Sequence, residues 1–237
     1  MPADADFPRS EGARTTAQYT TLAAAAPFRH ELEIKRSRFI TVLARTGDEE
    51  EARSLVGALR REFHDARHHC SAFVLGPERG VQRSNDDGEP SGTAGIPMLE
   101  ALLKRETARG TTDLSDVTAV VVRYFGGILL GAGGLVRAYS ESVSSALELA
   151  TLVRRQRLRI CSVQVPHASA GRLENDLRAA GFVMAGARYE ARSTVLRLAL
   201  PDEPAALARA AERLAALSAG SAELVPEETE WIDATLN

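Results

Sequence analysis

The sequence predicts two α+β domains in tandem, on three observations. The chain has 237 residues, more than one average small domain needs and comfortable for two. A mostly apolar, β-branched run, DVTAVVVRYF at 116–125, lies between helical patterns, as a buried central strand does. After a compositional break at TLVRRQRL (151–158), a full strand–helix–strand–strand–helix–strand order begins. That order is the ferredoxin-like split arrangement.

The elements follow in chain order. Residues 1–27 are rich in Ala, Thr, Pro and Asp without a sustained period, and a disordered leader is expected there. Residues 28–35 alternate, and SRFITVLA at 37–44 reads as a second strand. Asp48 stands where a helix cap belongs, and Ala52, Leu55, Val56, Leu59 and Phe63 follow at helical spacing. HHCSAFVL at 68–75 is a strand, and residues 76–92 are a loop dense in Gly, Pro, Asn, Asp and Ser. Ser91 or Thr93 opens a helix running to about Arg109. The central strand ends in a glycine-rich turn, and an amphipathic helix covers 133–150. In the second unit, strands fall at 157–165, 182–190, 193–200 and 221–229. Its helices fall at 168–180 and 203–218, with Gly181 at a C-terminal cap. The expected domains are 28–152 and 156–237, joined through a linker.

Composition narrows the function. Hydrophobic residues make up 44% and charged residues 26%, an ordinary globular balance. A net charge of −3 excludes a globally basic, nucleic-acid-wrapping protein, so such a role needs a local basic patch. Cys70 and Cys161 are the only cysteines. They make no disulfide framework and point to a reducing, cytoplasmic setting. No membrane span and no signal-peptide pattern is read in the sequence.

Three segments carry candidate chemistry. In RYFGGILLGAGGLVRAYS (123–140), a strand runs through Gly126, Gly127, Gly131, Gly133 and Gly134 into a helix. Glycine permits close backbone approach, and N–H groups at a helix start attract anions. Arg123 and Arg137 add charge-assisted donors. The functional reading is a phosphate cradle; the structural reading is a tight turn with close packing. The run lacks the Gly-Lys-Ser/Thr ending of a P-loop. In RSNDDGEPSGTAGIPMLEAL (83–102), Asp86, Asp87 and Glu89 cluster before a helix. They suit Mg²⁺ held through waters, but turn chemistry explains them better. In HDARHHC (64–70), His68 and Cys70 face one side of a strand and His69 the other. That leaves too few donors for closed zinc coordination and favours histidines lining a polar groove. No metal and no cofactor is expected. The basic run RRQR (154–157), with Arg159, reads as a solvated linker, or as a contact for a nucleic-acid backbone or a partner's acidic face.

Taken together, KRSRFI, DARHHCSAFVLG, SNDDGEPSGTAGIPMLEAL and VVVRYFGGILLGAGGLVRAYS strongly resemble the bacterial YigZ-type branch of the IMPACT family. The clear motifs cover about residues 28–150. The resemblance implies an N-terminal domain like domain IV of elongation factor G and a C-terminal domain like its domain V. It places motif positions at His68, His69, Asp86, Asp87, Glu89, Pro90, Arg123, Tyr124, Gly126, Gly127, Gly131, Gly133, Gly134 and Arg137. Eukaryotic relatives carry a further N-terminal domain and act in translational control. For bacterial members, nucleic-acid or ribosome association is the usual suggestion. The expected function is therefore a non-catalytic, translation-linked protein. It would recognise RNA or the ribosome through the glycine-rich groove. The alternatives are an enzyme acting on a small phosphorylated ligand, or a regulator that binds protein through the C-terminal sheet.

Overall fold

The computed structural model describes residues 16–23 and 26–234. The chain is mixed α+β and divides into two compact units, Met1–Leu152 and Val153–Asn237.

The first unit is built on a five-stranded antiparallel sheet. Its strands are β2 (Phe28–Ile34), β3 (Ser37–Arg45), β4 (His68–Leu75), β5 (Val81–Asn85) and β6 (Val117–Tyr124), in the order β2-β3-β6-β4-β5. The β-branched run forms the central strand β6, flanked on both sides by hydrogen-bonded partners. Alternation sends its residues to two faces. Val117, Ala119 and Val121 join a core with α2 (Gly95–Lys104) and α3 (Ala132–Leu149). Val120 faces the other way and packs, with Val42, against Leu55, Leu59 and Phe63 at α1 (Glu49–Glu62). The sheet is thus covered on both faces, which is why β6 is apolar throughout.

Several boundaries differ from the sequence reading. The leader expected over 1–27 takes in a strand. Gln18–Leu22 is a strand, β1, with Tyr19, Thr20, Thr21 and Leu22 buried. Backbone bonds from Thr20 N–H to Asp113 O (3.2 Å) and from Ser115 N–H to Thr20 O (2.9 Å) hold it, and Tyr19 Oη donates to the Asp116 carboxylate. Residues 1–15 lie outside the described residues. The loop expected over 76–92 contains β5, an edge strand too polar to show alternation. α2 starts at Gly95, not at Ser91 or Thr93, because the Thr93 hydroxyl donates to Pro90 O at 2.6 Å instead of capping.

In the second unit, β7 (Leu152–Val165), β8 (Val183–Tyr189), β9 (Thr194–Leu200) and β10 (Val225–Ala234) form an antiparallel sheet. β7 is flanked by β10 and β9, and β9 by β8. With α4 (His167–Ala179) and α5 (Pro204–Leu217) as the crossovers, this is the ferredoxin-like order. Cys161, Val163, Val165, Leu196 and Leu198 meet Leu173, Leu177 and Leu214 in its core. The basic run expected to be a linker is strand. Arg159 is held by both carboxylate oxygens of Asp202, at 2.8 and 3.0 Å, and Arg155 lies 3.6 Å from Asp233. Among the described residues, no helix is long and apolar enough to cross a membrane.

Candidate functional site

Strand register brings the sequence motifs to one end of the first sheet. His68 pairs with Arg123, Arg38 with Tyr124, and Ser71 with Asn85. The starts of β3 and β4 and the ends of β5 and β6 therefore lie together. The turn at Lys35 and Arg36, the loop after Asn85 and the glycine turn after Tyr124 all open at this end. So do the starts of α2 and α3.

The three clustered acidic residues serve three different structural roles. Asp86 accepts N–H bonds from Gly92 (2.8 Å), Ala94 (3.0 Å) and Gly95 (2.8 Å), and so caps α2 from outside the helix. Asp87 accepts the His69 N–H at 2.5 Å and pairs with Arg60, while its carbonyl meets His68 Nδ1 at 2.9 Å. Glu89, buried, accepts from Arg123 Nη1 at 2.6 Å and from Tyr139 Oη at 2.8 Å. Among the described residues, no group of three or more His, Cys, Asp or Glu gathers as a metal ion would require.

Burial works against the charged form of the Asp86 carboxyl, but the three N–H bonds outweigh it and hold its pKa below the usual value. A carboxyl depressed in the folded state adds stability above its unfolded pKa, and loses it as pH falls through the folded one. First-unit stability should therefore drop as pH falls below about 4. Asp86→Ala should cost about 1–2 kcal/mol at neutral pH, as lost caps do, and should flatten that part of the acid limb. Urea titrations of both proteins across pH 2–7 measure it; an unchanged acid limb would count against the cap.

Arg123 anchors the buried end of the site. Its guanidinium bonds Glu89, makes a weak 3.5 Å contact to Ser37 Oγ, and lies 5.4 Å from the Phe39 ring centroid. Phe39 and Tyr139 meet edge to face at 5.3 Å. Cys70 Sγ lies 3.0 Å from Asp86 O and 3.3 Å from Tyr139 Oη, and burial pushes its thiol up to about 12. A thiol in that state is no nucleophile at neutral pH. His69 is buried; desolvation first, and the nearby Arg60 charge second, lower its pKa and favour the neutral ring.

The glycines divide by role. A Cβ on Gly126 would fall 2.0 Å from the Arg36 carbonyl carbon, and the Gly126 N–H donates to Ser37 Oγ at 3.2 Å. Gly131 is the N-cap of α3 at φ 71°, with no side-chain cap bond. Gly133 faces open space, whereas a Cβ on Gly134 would press Leu130 at 3.0 Å. Arg137 is exposed on α3 and, among the described residues, makes no hydrogen bond or ion pair; it stands apart from the buried network of Arg123 and Glu89.

A family model described as the Impact N-terminal domain matches residues 35–147, which span this whole end. The chain is 42% identical over 209 residues to the "IMPACT family member YigZ" of Escherichia coli (strain K12), covering 87% of this chain and 98% of that protein. The chain belongs to the IMPACT family. Another relative in the family, the "IMPACT family member YvyE" of Bacillus subtilis (strain 168), is 46% identical over 160 residues, covering 68% of this chain and 70% of that protein. A crystal structure described as that of a hypothetical protein shares 40% identity at a TM-score of 0.55, over 90% of this chain and 98% of that one.

The family motifs name most of the buried network but not all of it. Tyr139 and Ser37, which complete the hydrogen bonds of Glu89 and Arg123, were not singled out from sequence. The signal for Tyr139 is a hydroxyl on the helix face that also carries Leu135, Ala138 and Val143. The turn residues Lys35 and Arg36, both at positive φ, open the motif KRSRFI, whose sequence does not show that they form a turn.

Proposed function

We propose that this IMPACT family member is a non-catalytic, translation-linked protein that recognises RNA or the ribosome through the glycine-rich end of its first unit. One observation carries the reading: at this end Asp86, Asp87 and Glu89 are engaged internally, while several cations are left free. Asp86, Asp87 and Glu89 are each engaged by N–H groups, Arg60 or Arg123. Lys35, Arg36, Arg67 and Arg137 are exposed and, among the described residues, unpaired. Arg137 lies on α3, whose N-cap makes no side-chain hydrogen bond, and the other three lie in the turns that open at the same end of the sheet. A chain that is acidic overall thus presents a locally positive surface beside open backbone donors, which suits phosphate. The family resemblance supplies the link to translation.

A magnesium-dependent enzyme fits this arrangement less well, because the carboxylates that would hold the metal are committed elsewhere.

Sedimentation of ribosomes from lysate across a salt series tests the proposal. The protein should travel with ribosomal particles at low salt and leave them as salt rises, because phosphate contacts release counterions. Protein that stays at the top of the gradient at every salt concentration would defeat the reading. Arg137→Ala should weaken association about tenfold, as loss of one charge-assisted bond does, with unfolding by urea unchanged.

A further inference from the structure

The turn that follows β6 exposes apolar side chains where a purely phosphate-binding loop has no use for them. Phe125 is 50% exposed, Ile128 40% and Leu129 84%. Phe125 is also held in place: the Arg123 guanidinium, itself fixed by Glu89 and Ser37, lies over its ring at 5.7 Å. One face of the ring is thus backed by a buried cation, and the exposed remainder of the ring is available to a partner.

Free cations flank this ring. Gly126 packs directly on the Arg36 backbone, so the Lys35–Arg36 turn borders it on one side. On the β4 side, Arg67 directly precedes His68, the register partner of Arg123, and shares that strand end with Asp65, which accepts from Tyr124 Oη at 2.7 Å. The surface therefore pairs an aromatic face and an aliphatic tip with positive charge. A nucleic-acid duplex presents phosphates but keeps its bases stacked inside, which would leave Phe125 and Leu129 against a charged, hydrated backbone. A strand with unpaired bases offers both what the ring and what the cations need.

Building on the RNA reading above, we infer that the surface takes a single unpaired RNA strand. One base stacks on Phe125, Leu129 supports the next, and Lys35, Arg36 and Arg67 lie along the phosphates.

Fluorescence anisotropy with a labelled twelve-nucleotide oligouridine and a matched RNA duplex tests this on the full chain. The parent should bind the single strand more tightly than the duplex. Phe125→Ala should weaken single-strand binding roughly tenfold, the order of one base-stacking contact, and Phe125→Tyr should restore it. Leu129→Ala, at the most exposed of these positions, should also weaken it without altering thermal unfolding. Equal binding of the two RNAs, or full affinity in Phe125→Ala, would overturn the inference. In that case, loss of RNA affinity in Arg137→Ala and on raising salt would still support the broader reading. Absence of RNA binding in the parent would remove both. Binding of Phe125-dependent character to phosphatidylserine vesicles, without oligouridine binding, would assign the surface to a membrane instead and overturn the inference.

Discussion

Glu89→Ala is expected to destabilise the first unit by about 3–5 kcal/mol, the usual cost of removing one partner from a buried ion pair. Arg123 and Glu89 are both almost fully buried, and their charges meet at 2.6 Å. Without Glu89, the Arg123 guanidinium keeps the Phe39 and Phe125 rings and a weak 3.5 Å contact to Ser37 but no counter-charge, and Tyr139 Oη loses its 2.8 Å acceptor. A loss of that size is a large share of a domain's total stability. Urea unfolding followed by circular dichroism reads it directly. Glu89→Gln, which keeps an oxygen acceptor for Tyr139, should lose less. Joint replacement of Glu89 by Leu and Arg123 by Met should recover much of the loss, since the penalty comes from the stranded charge. A Glu89→Ala protein within about 0.5 kcal/mol of the parent, the range of ordinary surface substitutions, would show that the pair is open to water.

The second large effect is at Gly126. Its Cβ would fall 2.0 Å from the Arg36 carbonyl carbon and 2.4 Å from the Ser37 nitrogen. Both are backbone atoms of the β2–β3 hairpin, which cannot yield as a flexible side chain can. Gly126→Ala should therefore cost about 3 kcal/mol, the upper end of usual overpacking. It should also part the glycine turn from the hairpin. Gly133→Ala is the matched control: nothing lies within 4 Å of its Cβ position, and alanine suits a helix better, by up to about 1 kcal/mol. Thermal melts of the two variants should move in opposite directions. If both moved the same way, close packing would not be what requires glycine at 126.

Strong periodicity made most of the fold legible. The β-branched, mostly apolar run at 116–125 is typical of a buried central strand, and the second unit's element order was readable because each segment kept its own period. Segments whose structure depends on a distant partner were not legible. β1 is held by backbone bonds from Thr20 to Asp113 and Ser115, far along the chain, and nothing in its own short sequence carries that. β5 is polar and takes its conformation from β4. The arginines at the start of β7 resembled a linker because the strand they pair with, and Asp233 opposite Arg155, lie at the far end of the chain. For the site, the residues singled out from their types gather at one end of the first unit, but their types did not give the roles they hold there. A cluster of three acids suggests a metal on spacing alone. Only the fold shows Asp86 capping a helix, Asp87 bracing a strand and Glu89 countering a buried arginine. Arg123 and Arg137 looked equivalent in sequence, yet one is buried in the network and the other is exposed to solvent.

The two cysteines give the molecule a built-in clock for its own opening. Cys70 lies fully buried in the core of the first unit and Cys161 in the core of the second, and burial raises both thiols. An alkylating reagent reacts with thiolate, so neither sulfur can be modified until the core around it opens. With Cys161→Ser, labelling reports excursions of the first core alone; with Cys70→Ser, those of the second. Mass spectrometry of the quenched reaction would then time the breathing of each half separately, using only atoms the protein already carries.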